Sequence, residues 1–312
     1  MSDNNKLLEE YSREEVIKCP HMMLLLGYLH RKHDLPKFGW RNQGLRYHYT
    51  DAQGLLGIIQ NGRLWATDIR FLNDPSEGSF LPERLIAIME SKAGGISETE
   101  QDIIRGLRKA LCNPRSNYSS FCASLSANGD LLSQWRGYGS FGNGYAVGMK
   151  LGGGFPHPQI AQYYDVVYGD EGLEELAFDL LDLFVSSFEK WKDLMFDEWA
   201  YTVSVLAKSF KDPSYSEEQE SRLVCTYSWD NNDNFQNEIP LQFRARGSDL
   251  IPFIPMSLGL LKEGEAPRLP IKRIVVGPGV DFDRNCISIH ELLKAHSYDD
   301  VVVEKSVIPF RP

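Results

Sequence analysis

An α+β fold built on a single mixed or antiparallel β core is predicted for this 312-residue chain. Short β segments and helical runs follow one another without the regular βαβα alternation of a parallel sheet. Two long helical stretches, 79–111 and 171–206, interrupt the strands as insertions. No Pro/Gly-rich hinge separates the first strand from the last, so residues 45–312 read as one domain behind an N-terminal helical arm, 1–44.

Residues 7–33 carry a helical pattern, with Pro20 marking a break or the first turn of a second helix, and 34–44 form a linker. The segment Leu45–Tyr49 is a strand. Thr50 or Asp51 then caps a helix over 52–60, closed by Asn61-Gly62, before a short strand at 63–67. Within 79–111, Gly94-Gly95 and the cap Ser97-Glu98-Thr99-Glu100 divide two apolar stripes. The alternation in Tyr118–Leu125 predicts a strand, and a β-turn packed by its aromatics is one reading of the Trp135–Tyr138 segment. Strands follow at 145–149, with a glycine turn at 152–154, and at 161–168. Beyond the long helix come strands at 220–228, 239–246, 250–258 and 271–276, with a polar loop at 230–234. A helix over 287–296 and an extended piece at 301–308 close the chain.

Composition narrows the function. Apolar residues make up 42% and charged residues 24%, which excludes a disordered or fibrous chain. A net charge of −10 argues against broad capture of DNA, although Lys92, Arg105, Arg108 and Lys109 leave room for a local basic groove. Five scattered cysteines without a C-x-x-C predict no disulfide framework and a reducing, cytoplasmic compartment. The N-terminus is polar and acidic, unlike a secretory signal, and the apolar run Met22–Leu26 is too short for a bilayer. No metal site is predicted: the seven histidines show no ligand spacing, and His30 and His33 read as exposed polar residues. No P-loop, dinucleotide-binding glycine pattern or nucleophile elbow is present.

Four segments remain as candidates for chemistry. His48 lies between two tyrosines and points away from them if the strand alternates; a ring held by one nitrogen on a backbone carbonyl is able to donate from the other to a ligand hydroxyl. A satisfied core histidine is the plainer alternative. Trp65 offers a flat face for a ring, while Asn73 and Asp74 sit where capping alone also explains them. Trp135, Arg136 and Tyr138 precede Gly142-Asn-Gly-Tyr-Ala-Val-Gly148, and arginine forks match phosphate oxygens. There Gly144 and Gly148 would let a ligand approach the backbone. Glu220 opens a strand with Arg222 on the same face, as a functional carboxylate or as part of a solvated charge cluster.

Five segments resemble the DUF2971 proteins, a bacterial family of unknown function: Tyr47-His-Tyr-Thr50, Leu64-Trp-Ala66, Leu72-Asn-Asp-Pro-Ser-Glu77, Trp135-Arg-Gly-Tyr138 and Glu220-Ser-Arg-Leu223. The closing Ile274-Val-Val-Gly-Pro278 and Lys305–Arg311 extend the likeness, which runs from residue 45 onward. A more distant similarity is to the diphtheria-toxin-like, His-Tyr-Glu type of ADP-ribosyltransferase. That resemblance implies the ADP-ribosyltransferase fold and NAD as a consumed substrate. It implies His48 on the ribose, Trp65 (for the usual tyrosine) and Tyr138 on the nicotinamide, and Glu220 as the carboxylate beside the breaking bond. Arg46, Asn73, Trp135 and Arg136 would complete the NAD contacts. The implied activity is an ADP-ribosyltransferase or NAD glycohydrolase with a protein, nucleic-acid, small-molecule or water acceptor, in a toxin or antiviral defence role. A non-catalytic nucleotide-sensing or partner-binding module and an RNA-phosphate transferase of related fold stand as alternatives. Glu220→Ala is expected to abolish NAD turnover and leave the fold intact.

Overall fold

The computed structural model describes residues 12–18, 22–33, 35, 44–74, 76–92, 94–111, 118–151, 162–228, 240–258 and 267–309. The expected glycine turn at 152–154, the polar loop at 230–234 and nearly all of the 34–44 linker lie outside them. In chain order the described elements are α1 (Arg13–Lys18), α2 (Met22–Lys32), β1 (Leu45–Thr50), α3 (Ala52–Asn61), β2 (Leu64–Asp68), α4 (Phe80–Glu90) and α5 (Glu98–Leu111). Next come β3 (Tyr118–Ser126), α6 (Leu132–Gly137), β4 (Tyr145–Lys150), β5 (Gln162–Asp165), β6 (Val167–Tyr168), α7 (Leu173–Ala207) and β7 (Phe210–Lys211). The chain ends with β8 (Glu220–Ser228), β9 (Gln242–Arg246), β10 (Asp249–Met256), β11 (Ile271–Val276), α8 (Phe282–Ala295) and β12 (Val302–Lys305). The architecture is α+β on a mixed sheet, in which, among the described residues, only β11 and β12 run parallel.

The chain divides into two compact units, 1–37 with 74–116 and 166–213, and 38–73 with 117–165 and 214–312. The N-terminal helices and both helical insertions belong to the first. Its long helix α7 buries Leu176, Leu180, Leu183 and Phe184, a stripe at helical spacing. Phe196 of α7 fills the place a side chain would take at Gly106 of α5, where a Cβ would lie 2.2 Å from its ring. Ser97 and Glu100 form the reciprocal cap expected of them: the Ser97 amide donates to the carboxylate at 2.8 Å and the Glu100 amide to the Ser97 hydroxyl at 3.2 Å. His30 and His33 are not exposed. His30 is buried, and His33 Nε2 lies 3.0 Å from Asp179 of α7, which also accepts from Tyr28 and Lys32. Packing of α2 on α7 encloses them.

The second unit holds a ten-stranded sheet with the path β12-β11-β4-β1-β3-β2-β10-β9, while β8 lies on the other edge of β3 and β5 on β8. Its main core gathers Leu55, Ile59, Leu64, Phe121, Leu125, Val147 and Ile274, among others, under the sheet. Asp51 caps α3 by accepting from the Gly54 amide at 2.7 Å, and Gly62 ends it in the left-handed region at φ 58°. The expected single strand at 161–168 is broken, because β5 pairs with β8 whereas β6 pairs with β7 of the first unit. The expected aromatic turn contains α6. Glycines 144 and 148 face protein rather than open space. A Cβ at Gly144 would stand 2.3 Å from the Thr50 carbonyl oxygen, and one at Gly148 would stand 2.7 Å from the Tyr47 ring. Among the described residues no helix is long and apolar enough to cross a membrane.

Candidate functional site

A divergence in the sheet creates the cleft. Strands β1 and β2 share one edge of β3. β1 meets it at Tyr47↔Ser126, and β2 meets it at Thr67↔Cys122 and Asp68↔Phe121. The ladders leave positions 123–125 of β3 without a strand partner on that edge, so the backbone groups there need other partners. His48 supplies one, with Nδ1 3.0 Å from the Ser124 carbonyl oxygen. A carbonyl only accepts, so Nδ1 carries the proton.

Burial, helped by the positive charge of Arg244, pushes the His48 pKa below the ordinary imidazole value, while the bond to Ser124 acts the other way. The ring is neutral at pH 7, and its Nε2 is an acceptor. This reverses the expected polarity: the free lone pair at Nε2 suits accepting a hydrogen bond, not donating one. The shift also sets a pH dependence. In the folded state His48 binds fewer protons than in the unfolded chain, so its contribution to stability is full above about pH 6.5 and declines as the pH falls through the lowered folded value. Urea midpoints of wild type and His48→Asn, which keeps a donor for Ser124 without titrating, are expected to converge between pH 7.5 and 5. A difference independent of pH would refute the assignment.

The cleft encloses about 350 Å³ of space, open solvent at its mouth included, and its lining includes His48, Ser124, Gln134, Tyr138, Glu218 and Glu220. Gln219 joins the two glutamates at φ 46°, a left-handed conformation rare for a residue with a side chain. That bend turns the chain from the 3-10 turn Pro213–Glu218 into β8. It is held by the Ala127 amide, which donates to the Gln219 carbonyl at 2.9 Å. Tyr138 is 37% exposed at the rim, and its hydroxyl donates to Glu218 at 3.1 Å. Glu220 is buried and grips Arg222, also buried, through two parallel bonds of 2.9 and 2.8 Å.

His48, Tyr138 and Glu220, far apart in the chain, are thus brought together. The other candidate residues are elsewhere. Trp65 lies outside the cleft lining and stacks on Phe253, ring centroids 4.6 Å apart, with the Arg244 guanidinium 5.5 Å above it. Arg46 is engaged by the Tyr163 and Ser221 hydroxyls at 3.1 and 2.9 Å and by Asp165 at 3.4 Å. Trp135 is fully buried beside Tyr49, and Arg136 and Asn73 are exposed outside the cleft. Sequence reasoning did not single out Gln134, Glu218 or Arg244. The acidic run before β8 was the one available signal, for Glu218. Among the described residues no group of three His, Cys, Asp or Glu side chains is placed to hold a metal ion.

Residues 134–223 match the model of a family described as a protein of unknown function, DUF2971. No curated protein and no solved structure matches the chain. The matched stretch carries Gln134, Tyr138, Glu218 and Glu220 of the cleft, while the segments around His48, Trp65 and Asn73 lie before it. The family description names no activity, and the likeness to ADP-ribosyltransferases rests on the sequence resemblance alone.

Proposed function

We propose that the cleft receives the nicotinamide-ribose half of NAD and breaks its glycosidic bond, passing the ADP-ribosyl group to water or to a protein, nucleic-acid or small-molecule acceptor. The observation that carries this reading is the convergence of His48, Tyr138 and Glu220 on one cleft. His48 Nε2 accepts from a ribose hydroxyl, and Tyr138 covers the ring from the rim. As the C1′–N bond breaks, its electron pair leaves with nicotinamide and positive charge grows on C1′ and the ring oxygen. The Glu220 carboxylate stabilises that charge, an effect of about 3–4 kcal/mol or roughly 10²–10³ in rate. Arg222 orients the carboxylate and does not touch the substrate.

The test is incubation with NAD, with and without cell lysate, reading free nicotinamide. Glu220→Asp keeps the charge but draws the carboxylate back, and is expected to lower release by roughly 10²-fold or more. No release by the wild type, or equal release by the variant, would remove the reading. One observation favours a second, non-catalytic reading, a nucleotide-sensing module. Both Glu220 oxygens are already engaged by Arg222, as in a site that holds its ligand without reacting. In that case NAD or nicotinamide riboside binds and no nicotinamide is released.

A further inference from the structure

We propose that Arg244 and Arg246 of β9 form a phosphate-binding subsite, taking the phosphate of a nucleotide ligand. Arg244 is fixed in place. Its guanidinium lies 5.5 Å over the Trp65 ring and 6.0 Å over Phe253, and it donates to the Thr67 hydroxyl at 2.8 Å. That bond uses one of five N–H donors. Arg246, two residues along and therefore on the same face of the strand, donates to the Phe71 carbonyl at 3.1 Å.

Neither side chain forms an ion pair among the described residues, in a chain with 43 acidic residues against 33 basic ones. Several other arginines do meet carboxylates: Arg13 with Asp182, Arg70 with Asp68, Arg84 with Asp170, Arg108 with Glu90 and Arg222 with Glu220. Asp51 acts on Arg244 through its charge but makes no ion-pair contact with it. Asp51 caps α3, and Asp249, opposite Arg246 on β10, is exposed. Arg244 is half-buried, and burying a cation without a counter-charge is unfavourable. Burial and then the neighbouring Arg246 push its pKa down against the opposing charge of Asp51, and an incoming dianion would reverse that shift. A guanidinium held near two rings keeps donors that the Thr67 hydroxyl does not use, and such a fork matches phosphate oxygens.

The identity of the ligand as a nicotinamide nucleotide rests on the reading above; the phosphate subsite does not. Calorimetric titration of the full chain with inorganic pyrophosphate at fixed salt is expected to show binding that Arg244→Gln weakens roughly ten- to a hundredfold. Arg244→Lys, which keeps the charge and loses the fork, is expected to fall between, and serves if the glutamine variant does not fold. No binding by wild type, or equal binding by wild type and variants, overturns the subsite. Nicotinamide mononucleotide and nicotinamide riboside then separate the two claims. A tighter fit for the mononucleotide that vanishes in Arg244→Gln joins subsite and cleft. Binding of riboside and mononucleotide with equal strength overturns the assignment to this nucleotide. Pyrophosphate binding through Arg244 without either nicotinamide compound binding sinks the glycosidic reading and keeps the subsite.

Discussion

Glu220→Ala is expected to lower the unfolding free energy by about 3–5 kcal/mol, because it leaves the Arg222 guanidinium in the interior without this carboxylate. Side-chain exposure is 3% for Arg222 and 5% for Glu220, so water does little to replace the lost partner. The two parallel bonds add directional strength that a surface pair lacks. The expectation from sequence that this variant keeps an intact fold is therefore revised, and an inactive Glu220→Ala protein would say little about chemistry. Urea denaturation of Glu220→Ala and Glu220→Asp separates the effects. A large loss in the alanine variant and a smaller one in the aspartate variant is the expected order. A loss below about 1 kcal/mol for alanine, the level of a surface ion pair, would show that the pair contributes nothing buried.

Trp135→Ala is expected to cost about 3–5 kcal/mol, the usual loss for an aromatic side chain removed from a core. Trp135 is 0% exposed, meets the Tyr49 ring edge-on at 4.8 Å, and donates its indole N–H to Asp130 at 2.7 Å. Asp130 is a hub, since it also accepts from the Ser306 hydroxyl at 2.6 Å and the Val307 amide at 2.8 Å. Through it the indole ties α6 to the segment after β12. A stacking contact with a nicotinamide ring needs an exposed face, and this side chain has none. Trp135→Phe keeps a ring and loses the bond to Asp130. It is expected to cost about 1.5–3 kcal/mol and to leave ligand affinity within a few fold. Loss of affinity at unchanged stability would restore Trp135 to the binding site.

Where an element is defined by its own residues, the sequence read well. The Asp51 cap and Gly62 exit of α3, the Ser97–Glu100 box, β8 over Glu220–Ser228 and β11 over Ile271–Val276 all follow local rules of period and capping. Helix α6 did not follow them. It has six residues and no side-chain cap bond, and exists because Trp135 is buried against Tyr49. Helix α8 begins at Phe282, five residues before the expected start, where Asp281 caps it by accepting from the Arg284 amide. Aspartate is a favoured N-cap residue, so this earlier start also follows a local rule.

The chain's own order of residues determined most of the strands and helices, and that a histidine, a tyrosine and a glutamate were available for one site. Periodicity and capping act over a few residues, so they survive without knowledge of neighbours. Only the tertiary structure decided that β1 and β2 part company along β3, opening the gap that His48 bridges. It also decided that Arg46 meets Asp165 while Arg244 meets two rings and no acid among the described residues. Two arginines on two strands look alike in sequence. What distinguishes them is the strand that lies alongside, and pairing between distant segments is decided by the whole sheet.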